Sequence, residues 1–498
     1  MSNDTDVKAG GVPRAAADEE RYWRYALNTV FAVTALRLLW LALGGADLYP
    51  DEAQYWWWSK HLAFGYYSKP PLVPWLIALT TTLGDSELAV RLAAPLLHFA
   101  AALAIFALAH RLYGARIAAW SAVVYATLPG VSASAVIMST DAPLLLCWAL
   151  ALLLFLRARE EGGRWWIGLG IVAGLGLLSK YAMAYWLISA LLYLLAHRGE
   201  RRHLPAFLGA SAIALLVYAP NFAWNLAHGM ASYRHTADNA AFHGLLFHPG
   251  HFLLFFGSQF GVFGPFLFAA LLVVTALGRK IFADPRAAFL AFFAWPALAM
   301  MFVVSFLSRA EPNWAAPAYV SATVLVVAVL LERGWRSLVI ASIALHVVAA
   351  LVLFEGEAAA RALHVTLPAR FDPLHRLRGY KRLGSSVSGM LAMHPGAVLI
   401  GNDRETMAGL LYYVEPHPQK FLKWNGDDNL PHDGFDLEAT PDAFIGQNAL
   451  VVSPDPDITR IVTRFAAAGP VQHIIIPLGD GDSRSYVVRY LEGFKGYR

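Results

Sequence analysis

Between Asp47 and Leu76 the chain reads "DLYPDEAQYWWWSKHLAFGYYSKPPLVPWL". Asp51 and Glu52 are adjacent carboxylates, and Lys69 precedes Pro70 and Pro71. A carboxylate placed against a hydroxyl can take its proton, and a fixed cation can stabilise negative charge that develops during a reaction. Each group also has a plainer use. Asp51 follows Pro50 at the start of an expected helix, "DEAQYWWWSKHL", where a carboxylate interacts with the helix dipole. Lys69 would equally suit a lipid headgroup. On a helix, Glu52 points about 100° away from Asp51, so the two need not share a substrate atom. Tyr55, Trp56, Trp57, Trp58, Tyr66 and Tyr67 fit an interfacial aromatic belt, with stacking on a substrate ring as the alternative.

The rest of the chain sets where this stretch lies. Of 498 residues, 57% are hydrophobic and only 15% charged, against about 25% charged in an ordinary soluble domain. Charges are sparse over 1–355 and about twice as frequent over 356–498, which divides a membrane part from a soluble tail. Residues 1–23 are polar and Ala-rich and are expected to be a disordered cytoplasmic leader. The first apolar run lacks a small-x-small cleavage site and reads as a retained anchor. The single cysteine, Cys147, cannot form an internal disulfide. The net charge of +4 is explained by loop arginines and calls for no nucleic acid partner.

A span needs about 20 apolar residues. The apolar runs predict eleven or more, near 24–44, 88–110, 116–133, 141–157, 164–179, 181–197, 204–222, 252–277, 287–307, 314–331 and 336–354. With a cytoplasmic N-terminus, seventeen Lys and Arg fall on inner segments and six on outer loops. This bias supports the orientation, and an odd number of spans places the tail outside. Residues 72–83 are apolar but too short to cross, and fit a helix at the membrane surface within an outer loop over 45–87. Asp51, Glu52, Lys69, Asp141, Lys180, Arg309 and Glu311 then share the outer side, whereas Arg37 falls inside the first span. Charges at such depths mark a functional site by default, here one polar cavity open to the outer face.

These residues carry a family resemblance. The segments "PDEAQYWWWSKHLAFGYYSKPPLVPWLIAL", "GDSELAVRLAAPL", "STDAPLLLCWALAL", "GLGLLSKYAM", "PNFAWNLAHGMASYRH" and "EPNWAAPAY" resemble polytopic glycosyltransferases of the GT-C superfamily. The closest group is the bacterial branch related to protein O-mannosyltransferases and lipid A aminoarabinose transferases. The tail motif "GNDRETMAGLLYYV" is similar to the outer α/β domain of that branch. The resemblance spans roughly residues 24–498. It implies a mostly α, polytopic membrane protein with a GT-C-like catalytic domain over 24–355 and a periplasmic α/β domain over 356–498.

The implied activity is inverting transfer of a sugar from a polyprenyl phosphate to lipid A, lipopolysaccharide or another surface glycan or lipid. It would take place on the periplasmic side of a bacterial inner membrane. The alternatives are protein O-glycosylation of the mannosyltransferase type and, more distantly, a lipid or sugar flippase. The absence of a Rossmann fingerprint and of a metal-holding Asp-x-Asp agrees with a lipid-linked donor. By resemblance, Asp51 is the general base, Glu52 supports the site through a hydrogen bond or a metal, and Asp141 is a second outer-loop acid. Lys69 and Lys180 are implied donor-phosphate ligands, with Arg309 as a third cation and Glu311 as its partner. Tyr55, Tyr66, Tyr67, Tyr181 and Asn225 are substrate-binding candidates.

Asn225 opens a loop that also holds His228, Arg234, His235, His243, His248 and His251, expected to order when donor or acceptor binds. Its histidine spacing matches no compact metal pattern, so no metal ligand is assigned. No cofactor is required, with a divalent metal as the alternative. Asp141 could instead cap its helix beside Ser139 and Thr140, and Lys180 could snorkel. The tail alternates strands and helices, its "GDGD" at 479–482 reads as a hairpin turn, and no catalysis is assigned to it. It would cover the cavity or help select the acceptor. The partners expected are the lipid-linked donor, a lipid or glycan acceptor and membrane lipids, with the protein a monomer.

Overall fold

The computed structural model describes residues 14–44, 46–240, 246–364, 374–425, 432–438, 441–479 and 482–497. The chain begins with α1 (Arg14–Ala42), then α2 (Pro50–Lys60), α3 (Leu72–Thr80), α4 (Glu87–Arg91) and α5 (Ala93–Tyr113). Next come α6 (Ala115–Thr127), α7 (Pro129–Ser134), α8 (Asp141–Glu161), α9 (Arg164–Ser179) and α10 (Met183–Ala196). These are followed by α11 (Leu204–Ala227), α12 (Ala231–Ala240), α13 (Pro249–Val262), α14 (Pro265–Ala276) and α15 (Arg279–Phe282). The helical part closes with α16 (Pro285–Leu307), α17 (Ala318–Glu332) and α18 (Arg336–Ala362). Proline at the first position starts α2, α7, α13, α14 and α16, where its missing N–H costs no hydrogen bond.

Among the described residues, six helical stretches are long and apolar enough to cross a membrane, within α1, α4–α5, α8, Arg198–Ala227, α16 and α18, by length and composition. Four shorter apolar helices accompany them: Leu72–Leu83, α9, α10 and α17. The apolar run over 252–277, expected as one span, is two helices bent by 114°. Gly264 turns the chain there with φ +88, and Pro265 starts the second helix. Two further expectations need correction. Residues 14–23 are helical, because Asp18–Arg21 and Glu20–Arg24 pair along the first turns of α1. Residues 1–13 of the expected leader lie outside the described residues. At the other end, α18 runs to Ala362, beyond the expected boundary at 355.

The tail holds α19 (Tyr380–Met393), β1 (Val398–Gly401), α20 (Arg404–Tyr413), β2 (Phe421–Lys423), β3 (Ala449–Ser453), β4 (Phe465–Gly479) and β5 (Asp482–Phe494). The sheet order is β2-β1-β3-β5-β4, parallel across β2, β1 and β3 and antiparallel thereafter. Asp480 and Gly481 of the expected turn lie outside the described residues, but Gly479 pairs with Asp482 on either side of them.

The apolar helices share one core. A second core runs from α2 and α3 into α19, α20 and the sheet, and it corrects the reading of the aromatics. Trp56 and Trp58 are buried. Trp56 meets Tyr412 edge to face at 4.9 Å, Trp57 meets Phe421 at 5.0 Å, and Trp58 stacks on Tyr66 at 4.7 Å. They seal α2 against the tail instead of forming a lipid-facing belt, each such ring pair adding about 0.5–1.5 kcal/mol beyond the area buried.

Candidate active site

The first turn of α2 sends its two carboxylates in different directions. Glu52 is fully buried and accepts from Arg91 through both oxygens, Oε1 at 2.9 Å and Oε2 at 2.7 Å. It also accepts from the backbone N–H of Tyr49 at 2.9 Å and of Met138 at 2.8 Å. Four donors fill its lone pairs, so of the two kinds of support expected of it, hydrogen bond or metal, the structure shows the hydrogen bonds, and Glu52 acts as a brace. Asp51 stays partly exposed. Its Oδ1 accepts from Arg404 Nη1 at 2.8 Å, and the same nitrogen donates to Gln54 Oε1 at 2.8 Å. Oδ2 of Asp51 has no protein hydrogen bond among the described residues.

Lys69 lies within electrostatic range of Asp51, Asp141, Lys180 and Arg404. The loop holding it is stiff. Pro70 and Pro71 follow, and its carbonyl accepts from the Tyr66 N–H at 3.1 Å. Burial, with the like charge of Lys180 second, pushes its ammonium below the ordinary lysine value. Among the described residues this ammonium has no ion pair or hydrogen bond.

Asp141 opens α8, and Lys180 ends α9. The two meet at 2.7 Å, and the other Asp141 oxygen accepts from Asn313 Nδ2 at 2.6 Å. Ser179 donates to the Thr140 carbonyl at 2.8 Å and ties the two helix ends together. Asp51, Lys69, Asp141 and Lys180 therefore form one cluster, as their shared side of the sequence suggested.

The remaining candidates divide. Tyr55 is buried near Asp51, Arg404 and Asp141. Tyr67 packs on His235 at 5.3 Å, and partial burial, with Lys69 and Arg404 nearby, pushes His235 down to about 4. Tyr181 stacks on Tyr233 at 5.1 Å. Tyr66 is instead part of the loop's own scaffold: its hydroxyl contacts the Trp58 and His61 carbonyls and the Ala63 N–H at 3.1–3.2 Å. Asn225 is buried and ties α11 to α12, donating to the Asn221 carbonyl and accepting from the Ser232 N–H, both at 3.1 Å. Both were expected to touch substrate, and both hold backbone. Arg309 is 74% exposed and pairs with Glu311 at 3.1 Å, outside the cluster, so the third cation expected there is corrected.

The cation that does join Asp51 comes from the tail. Arg404 lies in the quoted motif "GNDRETMAGLLYYV", to which no catalytic part was given. Its position at the start of α20, just after a strand, was a local sign of a loop-borne functional group. Asn313, in "EPNWAAPAY", and Arg91, in "GDSELAVRLAAPL", were likewise inside quoted motifs and passed over. Among the histidines, His248 and His251 stack at 4.9 Å, and His251 meets the Ser308 carbonyl at 2.7 Å. His243 lies outside the described residues. No three His, Cys, Asp or Glu side chains gather as metal ligands among the described residues.

The family profile described as dolichyl-phosphate-mannose-protein mannosyltransferase matches residues 68–224, which include Lys69, Arg91, Asp141 and Lys180. Lipid A galacturonosyltransferase RgtD of Rhizobium johnstonii (strain DSM 114642 / LMG 32736 / 3841) is 34% identical over 397 residues, 78% of this chain and 82% of that relative. The fold resembles ArnT from Cupriavidus metallidurans. The apo form gives a TM-score of 0.61 at 18% identity, over 92% of this chain and 97% of ArnT. The form bound to undecaprenyl phosphate gives 0.63 at 19% identity, over 93% and 97%. With a relative this similar over most of both chains, the protein belongs to the ArnT-like branch of the polytopic GT-C glycosyltransferases.

Proposed function

We propose that the protein transfers a sugar from a polyprenyl phosphate to lipid A at the periplasmic face of the inner membrane, acting as a monomer. The acceptor hydroxyl oxygen attacks C1 of the sugar on the side opposite the phosphate, and its proton passes to Oδ2 of Asp51. The C1–O bond to phosphate breaks as the glycosidic bond forms, the electron pair leaves with the polyprenyl phosphate, and C1 is inverted. Lys69 and Lys180 counter the charge that grows on the departing phosphate, while Asp141 and Asn313 hold Lys180 in place.

Lys69 carries this reading. A half-buried ammonium beside a second lysine, with no anion bonded to it among the described residues, suits a site that receives a negative group. The acceptor follows from a relative named for lipid A, and the donor from ArnT having been solved with undecaprenyl phosphate. The positive-inside bias of the loops supports a cytoplasmic N-terminus and a periplasmic site and tail. Deletion of the gene followed by mass spectrometry of lipid A, surface glycans and secreted proteins tests the proposal. Lipid A lacking one sugar supports it; unchanged lipid A with an under-glycosylated protein would instead establish the mannosyltransferase-type alternative.

A further inference from the structure

Arg404 uses one side of its guanidinium. Nη1 donates to both Asp51 Oδ1 and Gln54 Oε1 at 2.8 Å, whereas Nε and Nη2 donate no hydrogen bond among the described residues. The side chain is partly exposed, and the helix that bears it is fixed by Asp403, whose carboxylate accepts from the Thr406 N–H at 2.9 Å. The group therefore reaches the site on a rigid element, with two parallel N–H donors unused. That fork matches the anions Arg binds in bidentate fashion, a carboxylate or a phosphate, and Lys69 and Lys180 already serve the donor phosphate.

The position limits which carboxylate it can meet. Asp51 must lie against the acceptor hydroxyl, and that oxygen must approach the anomeric carbon to about 3–3.5 Å before reaction. A group one nitrogen away from Asp51 is thus beside the sugar ring itself, on the side of the acceptor, while Lys69 and Lys180 serve the phosphate. Charge makes the same point. Lys180 is matched by Asp141 and Arg404 by Asp51, which leaves Lys69 for the single charge of a phosphodiester. When Asp51 accepts the acceptor's proton it becomes neutral, and Arg404 then loses its counter-charge. A carboxylate on the sugar restores that counter-charge in the state that follows transfer.

We propose that Nε and Nη2 of Arg404 hold the carboxylate of an acidic donor sugar, a hexuronic acid, so that the tail selects the sugar being transferred. This rests on the donor-and-acceptor reading above. Tyr55, buried beside both Asp51 and Arg404, closes the same side of the site.

The test uses the full-length protein in lipid nanodiscs with lipid A and two polyprenyl-phosphate donors, galacturonate and galactose, which differ only at C6. Wild type should favour the uronate by about 10²-fold or more in kcat/KM, because a site built to pair with a polar group discriminates strongly against its absence. Arg404→Gln should narrow the preference to under about 10-fold, with the loss falling on the uronate. Arg404→Lys, which keeps the charge without the fork, should lie between the two. Equal losses on both donors would mean that Arg404 acts through Asp51 alone, and would overturn the inference. Wild type that uses galactose as well as the uronate, or better, overturns it too while the proposed function stands. Wild type that uses neither donor overturns the inference, and the proposed function falls with it only if the deletion strain's lipid A is also unchanged. The wild-type preference needs no variant, so a misfolded variant does not protect the proposal.

Discussion

Arg91 grips both carboxylate oxygens of Glu52, at 2.9 and 2.7 Å, with the two side chains 2% and 0% exposed. The same guanidinium donates to the Ala46 carbonyl at 2.7 Å and the Asp47 carbonyl at 2.8 Å. One buried pair thus joins the end of the α1 connection, the first turn of α2, α4 and the irregular segment that leads into α8. Removing one partner of such a pair leaves a buried charge and costs about 3–5 kcal/mol. Glu52→Gln should therefore lower the melting temperature of the purified protein sharply. A melting curve that superposes on wild type would show that the pair does not brace the site.

Asp51→Asn has the opposite profile. Asp51 is partly exposed and, among the described residues, its carboxylate bonds to Arg404 alone, so the fold should survive with its melting temperature nearly unchanged. Transfer should fall by about 10²–10⁴-fold in kcat, the usual contribution of a general base. Single-turnover assays with excess enzyme would check this, and full transfer by the folded variant would remove Asp51 from the mechanism.

The clustering of Asp51, Lys69, Asp141 and Lys180 was legible because most Lys and Arg fall on one set of loops while these four residues all fall on the other. Arg404 was not legible, since 353 positions separate it from Asp51 and no local periodicity encodes that contact. The aromatics of α2 were misread for a related reason. A face that meets lipid and a face that meets another domain are equally apolar in sequence, and only packing against Tyr412 and Phe421 tells them apart. The broken span at Gly264 had a visible sign, Gly followed by Pro, hidden within a continuous apolar run.

Lys69 should set an alkaline limit on activity. Its ammonium is the form that holds phosphate, and burial together with Lys180 pushes its titration below the ordinary 10.5. As pH rises through that lowered value the cation is lost, so kcat/KM, which reports the free enzyme, should decline earlier than a free lysine would allow. Bound donor phosphate favours the charged form, so the decline in kcat should lie at higher pH. Lys69→Arg should move the kcat/KM limb upward, and a limb that stays in place would assign it to another group.

Undecaprenyl phosphate alone should stabilise the protein through the same residue. A ligand present at 100 times its Kd contributes about 2.7 kcal/mol to stability. Wild type should show a clear rise in melting temperature with added lipid, and Lys69→Met should lose most of it. An equal rise in both would place the phosphate elsewhere.

Gly65 links this lysine to the α11–α12 joint. Asn221 Nδ2 donates to the Phe64 carbonyl at 2.7 Å, and Ser232 Oγ donates to the Tyr66 carbonyl at 2.6 Å, clamping the loop on both sides of Gly65. A Cβ at Gly65 would lie 2.5 Å from the Trp224 ring and 2.8 Å from Asn221 Nδ2, so the ring, the amide or the loop must move. Overpacking of this kind costs about 1–3 kcal/mol. Gly65→Ala should therefore lower stability modestly and reduce kcat/KM for the donor more than a fall in folded protein explains, because Lys69 lies four residues along the displaced loop. Trp224→Ala in the same chain removes the nearest obstruction and should recover part of the loss. If the double variant is no better than Gly65→Ala alone, close contact with the Trp224 ring is not what positions the lysine.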